Sequence, residues 1–194
     1  VGEIWQKLLA HLTFLGARAG IRRICARCPE DAEIEGALRR CGFAVVSRED
    51  VFALAQQTPS SPLPQDLRPA GRADQWALRE LYRIAVPHLV QQMNDGNPCE
   101  LDGLVNGLGY ALQPSASYVW SAKGQINAHL SLESTRQGYW LSVLVRPECR
   151  ADILPYLRYV LSLATYADQK PIYCPIPDHN AGLGWVLRSI GFNA

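Results

Sequence analysis

Dense charge of one sign is missing from this sequence. Its 194 residues carry 19 Lys and Arg against 18 Asp and Glu, a formal net charge of +1. No basic tract stands out, so the electrostatic footprint of a nucleic-acid binder is absent. Long apolar runs are missing too. The longest candidate, around Leu157–Ala164, is broken by Arg158 and Tyr159, well short of the ~20 residues a membrane span needs. The opening residues do not read as a signal peptide, and a cytoplasmic location is expected. Residue 1 is Val rather than Met, which leaves open a start further upstream. Glycine is absent between Gly138 and Gly182. The six cysteines, Cys25, Cys28, Cys41, Cys99, Cys149 and Cys174, are too sparse for the disulfide framework of a small secreted domain. Cys25-Ala-Arg-Cys28 lacks the second ligand pair of a zinc site. The thiols read as reduced and mostly buried, and no metal site is expected.

The sequence does contain a repeated pattern. A shift of 149 positions lays Ile4 on Ile153, Leu8 on Leu157 and Leu12 on Leu161. In the same register Cys25 falls on Cys174, Ala32 on Ala181, Leu38 on Leu187, Arg39 on Arg188, and Gly42-Phe43 on Gly191-Phe192. Each copy reads as a helix with one apolar face, a short buried strand, a turn, a second helix stopped by Gly, and Phe opening a new strand. The strands are expected at Ile21–Cys25 and Pro171–Ile176. The second helices are expected from about Glu30 to Cys41, opened by acidic residues, and from Asn180, a good N-cap type. In the first copy strands follow at Phe43–Ser47 and Asp50–Leu54.

Residues 56–66 hold Pro59, Pro62 and Pro64 with Ser60 and Ser61, which reads as a semi-rigid linker. A short strand at Leu67–Ala70 follows, then a helix capped by Asp74 and running toward Pro87. A short helix is expected around Leu101–Val105. Three strands come next, at Tyr118–Ala122, Gln125–Leu132 and Tyr139–Val145, with turns at Lys123-Gly124 and Gln137-Gly138. Pro147 ends the third, and the long repeated helix begins.

The order from Leu67 onward, together with Asn180 and the Gly191-Phe192 ending, resembles the GNAT superfamily of acyl-CoA-dependent N-acyltransferases. The resemblance implies an α/β (α+β) fold, a mixed, mostly antiparallel central sheet flanked by helices. On this view residues 1–55 are the C-terminal part of a first GNAT-like domain, 56–66 a linker, and 67–194 a second GNAT-like domain lacking its last two strands. Alternatively, the first 55 residues supply closing strands to the second domain, or to a partner chain in a homodimer.

The resemblance also implies acetyl-CoA as cosubstrate, its pyrophosphate held where the third core strand meets the long helix. The matching positions here are Leu144, Val145, Arg150, Ala151 and Asp152, with Asn180 on the neighbouring turn. The Val-x-Pro lead-in and Arg150 fit the family loop. The glycines that would let backbone approach phosphate closely are absent, and Asp152 adds negative charge. Where the family places a Tyr to protonate the departing thiolate, both copies have Leu: Leu38 and Leu187. Tyr173 and His179 are the nearby residues able to donate a proton. For the base that receives the amine proton, His129 and Glu133 lie four apart on one strand and share a face. Tyr118, Trp120, Tyr139 and Trp140 are candidates to line the pocket.

Two functions stand on these residues. One is an N-acetyltransferase moving an acyl group from acetyl-CoA to a small amine or a peptide N-terminus, with a degenerate CoA loop. The other is a GNAT-fold domain without catalysis, serving in interaction, dimerisation or ligand binding. Neither nucleic acid nor membrane is expected as a partner.

Overall fold

The computed structural model describes residues 2–55, 59–93, 114–167 and 170–194. The expected short helix at Leu101–Val105 and Cys99 lie outside these. The chain divides into two compact units, Val1–Val46 and Ser47–Ala194. The division falls ahead of residue 55, because Phe52 and Leu54 are buried in the core of the second unit.

The first unit holds α1 (Gly2–Arg18) and α2 (Ala32–Arg40). Asp31 caps α2, accepting hydrogen bonds from the backbone N–H of Glu33 at 2.8 Å and Ile34 at 3.1 Å. Glu33 and Glu35 sit in its first turn and Arg39 and Arg40 in its last, matching the helix dipole. The strands expected at Ile21–Cys25 and Phe43–Ser47 do not form: both stretches carry no strand assignment. A strand needs a ladder neighbour for its backbone groups, and these stretches have none among the described residues. Cys25 and Cys28 are exposed, Cys41 and Cys149 half-buried, and only Cys174 of the described thiols is buried, which corrects the expectation of mostly buried thiols.

The second unit is one six-stranded sheet. Its strands are β1 (Glu49–Leu54), β2 (Leu67–Pro69), β3 (Pro114–Ala122), β4 (Gln125–Ser134), β5 (Tyr139–Val145) and β6 (Ile172–Pro177). The spatial order is β1-β6-β5-β4-β3-β2. Every neighbouring pair is antiparallel except β5 with β6. This is the mixed, mostly antiparallel sheet that the GNAT resemblance implies. β1 pairs with β6 from Glu49↔Pro177 to Leu54↔Ile172, so residues ahead of the linker lie in this sheet. Asn193 bridges to Ala53 on the outer edge of β1. Lys123 and Gly124, with φ of 53° and 77°, make the tight hairpin between β3 and β4, the geometry that matches strand twist.

Helices α5 (Leu154–Ala167) and α6 (Ala181–Ser189) cover one face. Alternate residues Leu130 and Leu132 of β4, Leu141 of β5 and Cys174 of β6 meet Leu157, Leu161, Leu183 and Leu187 there. Trp120 stacks on Tyr156 with ring centroids 4.4 Å apart. Gly184 lets α6 lie directly on Phe52, since an added Cβ would come within 2.9 Å of its ring. Helix α3 (Gln75–Ala85) covers the opposite face at Val119, Ile126 and Leu144; α4 (His88–Met93) follows it. Asp74 stands at the head of α3 but makes no capping bond. Its carboxylate instead accepts from the Arg68 guanidinium at 2.6 and 2.8 Å and from the Gly71 N–H at 2.8 Å, which holds its pKa down at about 2.

Candidate functional site

The parallel pair β5 and β6 shares only two rungs, Tyr139↔Ile172 and Trp140↔Tyr173. Beyond them β5 stays with β4 as far as Ala128↔Val145, while β6 stays with β1 as far as Glu49↔Pro177. The two strands part into a wedge. The sequence of β6 supplies a reason. The Tyr139 N–H donates to the Pro171 carbonyl at 2.9 Å. Backbone groups alternate sides along a strand, so residues 173, 175 and 177 also turn their backbones toward β5. Two of these are Pro175 and Pro177, which have no N–H to give. By the same alternation, the Leu141 C=O and the N–H and C=O of Val143 and Val145 turn into the wedge beyond the last rung, with no ladder partner among the described residues.

Because β5 and β6 run parallel, the helical runs after them start at one end of the sheet, the wide end of the wedge. After β5 come two single 3-10 turns, Pro147–Cys149 and Ala151–Ile153, and then α5. After β6 comes one, Asp178–Asn180, and then α6. Three buried polar atoms at this end have no hydrogen-bond partner among the described residues: Arg150 Nε, His179 Nδ1 and Asn180 Oδ1. The Arg150 chain runs alongside Gly182, whose added Cβ would sit 3.7 Å from Arg150 Cδ. Asn180 holds the N-cap position of α6 without making a capping bond, contrary to its expected role, and is buried. Burial lowers the His179 pKa, Asp178 opposes this and Arg150 adds to it, so the imidazole is neutral at pH 7.

The 178–180 turn is tied from β1's side. Ser47 Oγ donates to Asp178 Oδ1 at 3.1 Å, the same oxygen accepts from the His179 N–H at 2.9 Å, and the Asp178 N–H donates to the Arg48 carbonyl at 2.9 Å. Sequence reasoning missed Ser47, Asp178 and the β6 prolines. The alternating prolines of Pro171-Ile-Tyr-Cys-Pro175-Ile-Pro177 were the available signal.

The sequence candidates fall into three places. Arg150, Ala151, Asp152 and Asn180 gather at the wide end, and Val145 lines the wedge. Leu144 does not: it packs under α3 with Leu81 and Val119. Glu133 and Tyr173 lie on one rung with Trp140 between them, Glu133 buried and the Trp140 and Tyr173 rings 5.4 Å apart. His129 lies on the Val119 and Leu144 rung, about 13 Å along β4 from Glu133 at ~3.3 Å per residue. Its Nε2 is 2.9 Å from Ser117 Oγ. Burial lowers its pKa to about 4, against the opposing pull of Asp74, so it stays neutral at pH 7. Leu187 is fully buried in the core. No cluster of metal-ligating side chains occurs among the described residues, and none of the described helices is long and apolar enough to cross a membrane. A separate groove of about 140 Å³ lies on the β1 side of β6, between Asp50, Pro177, Trp185 and Arg188; none of its lining side-chain atoms is a buried orphan.

No family model matches the chain, and no curated protein matches it. Solved structures do. A functionally unknown conserved protein from Staphylococcus epidermidis aligns over 100% of this chain and 77% of its own, with a TM-score of 0.60 and 10% identity. A tandem GNAT protein from the clavulanic acid biosynthesis pathway aligns over 96% of this chain and 65% of its own, with a TM-score of 0.51 and 15% identity. A GCN5-related N-acetyltransferase from Sphaerobacter thermophilus aligns over 84% of this chain at 17% identity and a TM-score of 0.48, and this chain spans 53% of its length. The sheet order, the parallel β5–β6 pair and the first two of these likenesses show the GNAT fold.

Proposed function

We propose that the second unit binds acyl-CoA in the wedge between β5 and β6 and moves its acyl group to an amine. The observation that carries this reading is the wedge itself: an open strand edge ending at three buried polar atoms with no hydrogen-bond partner among the described residues. The pantetheine arm of CoA is an extended chain with two amides. It fits the open edge of β5 as an added strand, its amides meeting the Leu141 carbonyl and the backbone groups of Val143 and Val145. Arg150 and the N–H groups that open the run from Ala151 into α5 suit an anion, and Asn180 Oδ1 offers an acceptor. The fit is complete for the arm and reduced for the pyrophosphate, since the turn has no glycine and Pro147 gives no N–H.

For transfer, the amine nitrogen attacks the thioester carbonyl, the carbon–sulfur bond breaks, and the thiolate leaves. Glu133, on the rung with Trp140 and Tyr173, is the better placed base for the amine proton. His129, held neutral with a pKa of about 4, is a weak one. A proton for the thiolate cannot come from Leu187. That residue's burial favours a second reading, a binder of acyl-CoA that does not turn it over.

Titration with acetyl-CoA tests both. At a hundred times Kd, binding adds about 2.7 kcal/mol to stability, which raises Tm by roughly 5–10 °C for a unit of this size. Arg150→Glu is expected to remove the shift. No shift at millimolar acetyl-CoA sinks both readings; a shift without turnover of any amine leaves the second.

A further inference from the structure

The two repeated segments coincide in structure as they do in sequence. At the same offset of 149, α1 covers the positions of Ala151–Ile153 plus α5, and α2 (Ala32–Arg40) covers those of α6 (Ala181–Ser189). Their ends match bond for bond. Phe43 N donates to Leu38 O at 3.1 Å as Phe192 N donates to Leu187 O at 3.2 Å, and Gly42 and Gly191 have φ of 88° and 97°. What differs is what covers them. Ile153, Leu157 and Leu161 are 0% exposed under the sheet, whereas Ile4, Leu8 and Leu12 are 66%, 56% and 50% exposed. Ile34 is 41% exposed against 0% for Leu183. Residues 23–28 stand where β6 stands, yet carry no strand assignment, and Cys25 is exposed where Cys174 is buried.

We infer that the first unit is the back half of a second GNAT-type lobe, and that its apolar helix faces and its unladdered 23–28 segment form one docking surface for a four-stranded sheet. The occupant is the front half of that lobe, carried on the same natural polypeptide ahead of Val1. Its chemistry follows from the covered copy. It must offer an edge strand parallel to residues 23–28, as β5 does to β6. It must also offer alternating aliphatic side chains beneath α1 and α2, as Leu130, Leu132 and Leu141 do beneath α5 and α6. A second copy of this chain offers no such face, because α5 and α6 already cover its own. An apolar stripe of this kind left in water is unfavourable.

Alkylation of Cys25 tests this, read by peptide mass spectrometry with Cys174 as the internal reference. In the 194-residue chain Cys25 is expected to react as an exposed thiol. In the protein expressed from its natural start it should react about tenfold more slowly or less, as a thiol released only by local opening. Leu8→Glu with Leu12→Glu in that longer protein should restore the fast rate while the acetyl-CoA response of residues 47–194 stays unchanged, so this inference and the proposed function fail separately. Equal labelling in both proteins overturns it, as does a natural start at Val1. So does protection of Cys25 that survives the double substitution, or that arises in the 194-residue chain as its concentration is raised.

Discussion

His129 shows how one residue's setting decides its contribution. Burial under α3 brings its pKa from 6.5 down to about 4, and Ser117 holds its Nε2. Between those two pH values the unfolded chain binds a proton that the folded chain does not. Stability therefore rises with pH across that window. The contribution is whole above about pH 6.5 and is lost as pH falls toward 4. The span is up to about 3 kcal/mol, at 1.36 kcal/mol per unit. His129→Gln is expected to flatten this part of the profile, checked by urea midpoints of both proteins at pH 7 and pH 4.5. An equal drop in both would assign the acid sensitivity elsewhere. The sequence placed His129 and Glu133 on one face of a strand, and they do share it. It could not show that only Glu133 shares a rung with Trp140 and Tyr173, because cross-strand register depends on residues far away in the chain. Leu187 was legible from its spacing before Gly-Phe, and its burial in the core explains why a side chain there serves packing.

Elements with local signals were readable from sequence. The β3–β4 hairpin follows from Lys123-Gly124, α2 from Asp31 and its acidic first turn, and the ends of α2 and α6 from Gly42 and Gly191. Stretches that need a distant neighbour were not. Residues 21–25 have the composition of a strand but no ladder partner among the described residues, and Glu49–Leu54 finds its partner in β6, far along the chain. The wedge is the case where composition and pairing meet. Pro175 and Pro177 remove donors from the edge of β6 that faces β5, so the parallel ladder stops after two rungs. Pro175→Val restores one donor. One added bond is worth about 1 kcal/mol and would draw β6 toward β5 near Leu141 and Val143. The variant is expected to melt a few degrees higher without ligand and to show a smaller acetyl-CoA shift than the natural sequence. A full-sized shift in a stabilised variant would mean that the prolines do not hold the wedge open for a ligand.

At the scale of the whole molecule, residues 47–54 belong to the sheet unit although the linker separates them from the rest of it. Phe52 and Leu54 are buried beside Ile172, Cys174 and Leu187, and Gly184 is fitted to the Phe52 ring. Burying the two side chains contributes roughly 3–6 kcal/mol, a large part of the ~5–15 kcal/mol that keeps a domain folded. Removing β1 would also leave the backbone of β6 without its antiparallel neighbour and free the 178–180 turn from Ser47 and Arg48. A chain starting at Ser47 is therefore expected to keep a cooperative melt and the acetyl-CoA response. A chain starting at residue 56 should lose both, and a synthetic peptide spanning residues 47–55, added in excess, should restore part of each. Circular dichroism melts of the two truncations, with and without peptide, decide the point. If the chain from residue 56 melts as cooperatively as the chain from Ser47, β1 is an appendage of this fold and the wedge does not depend on it.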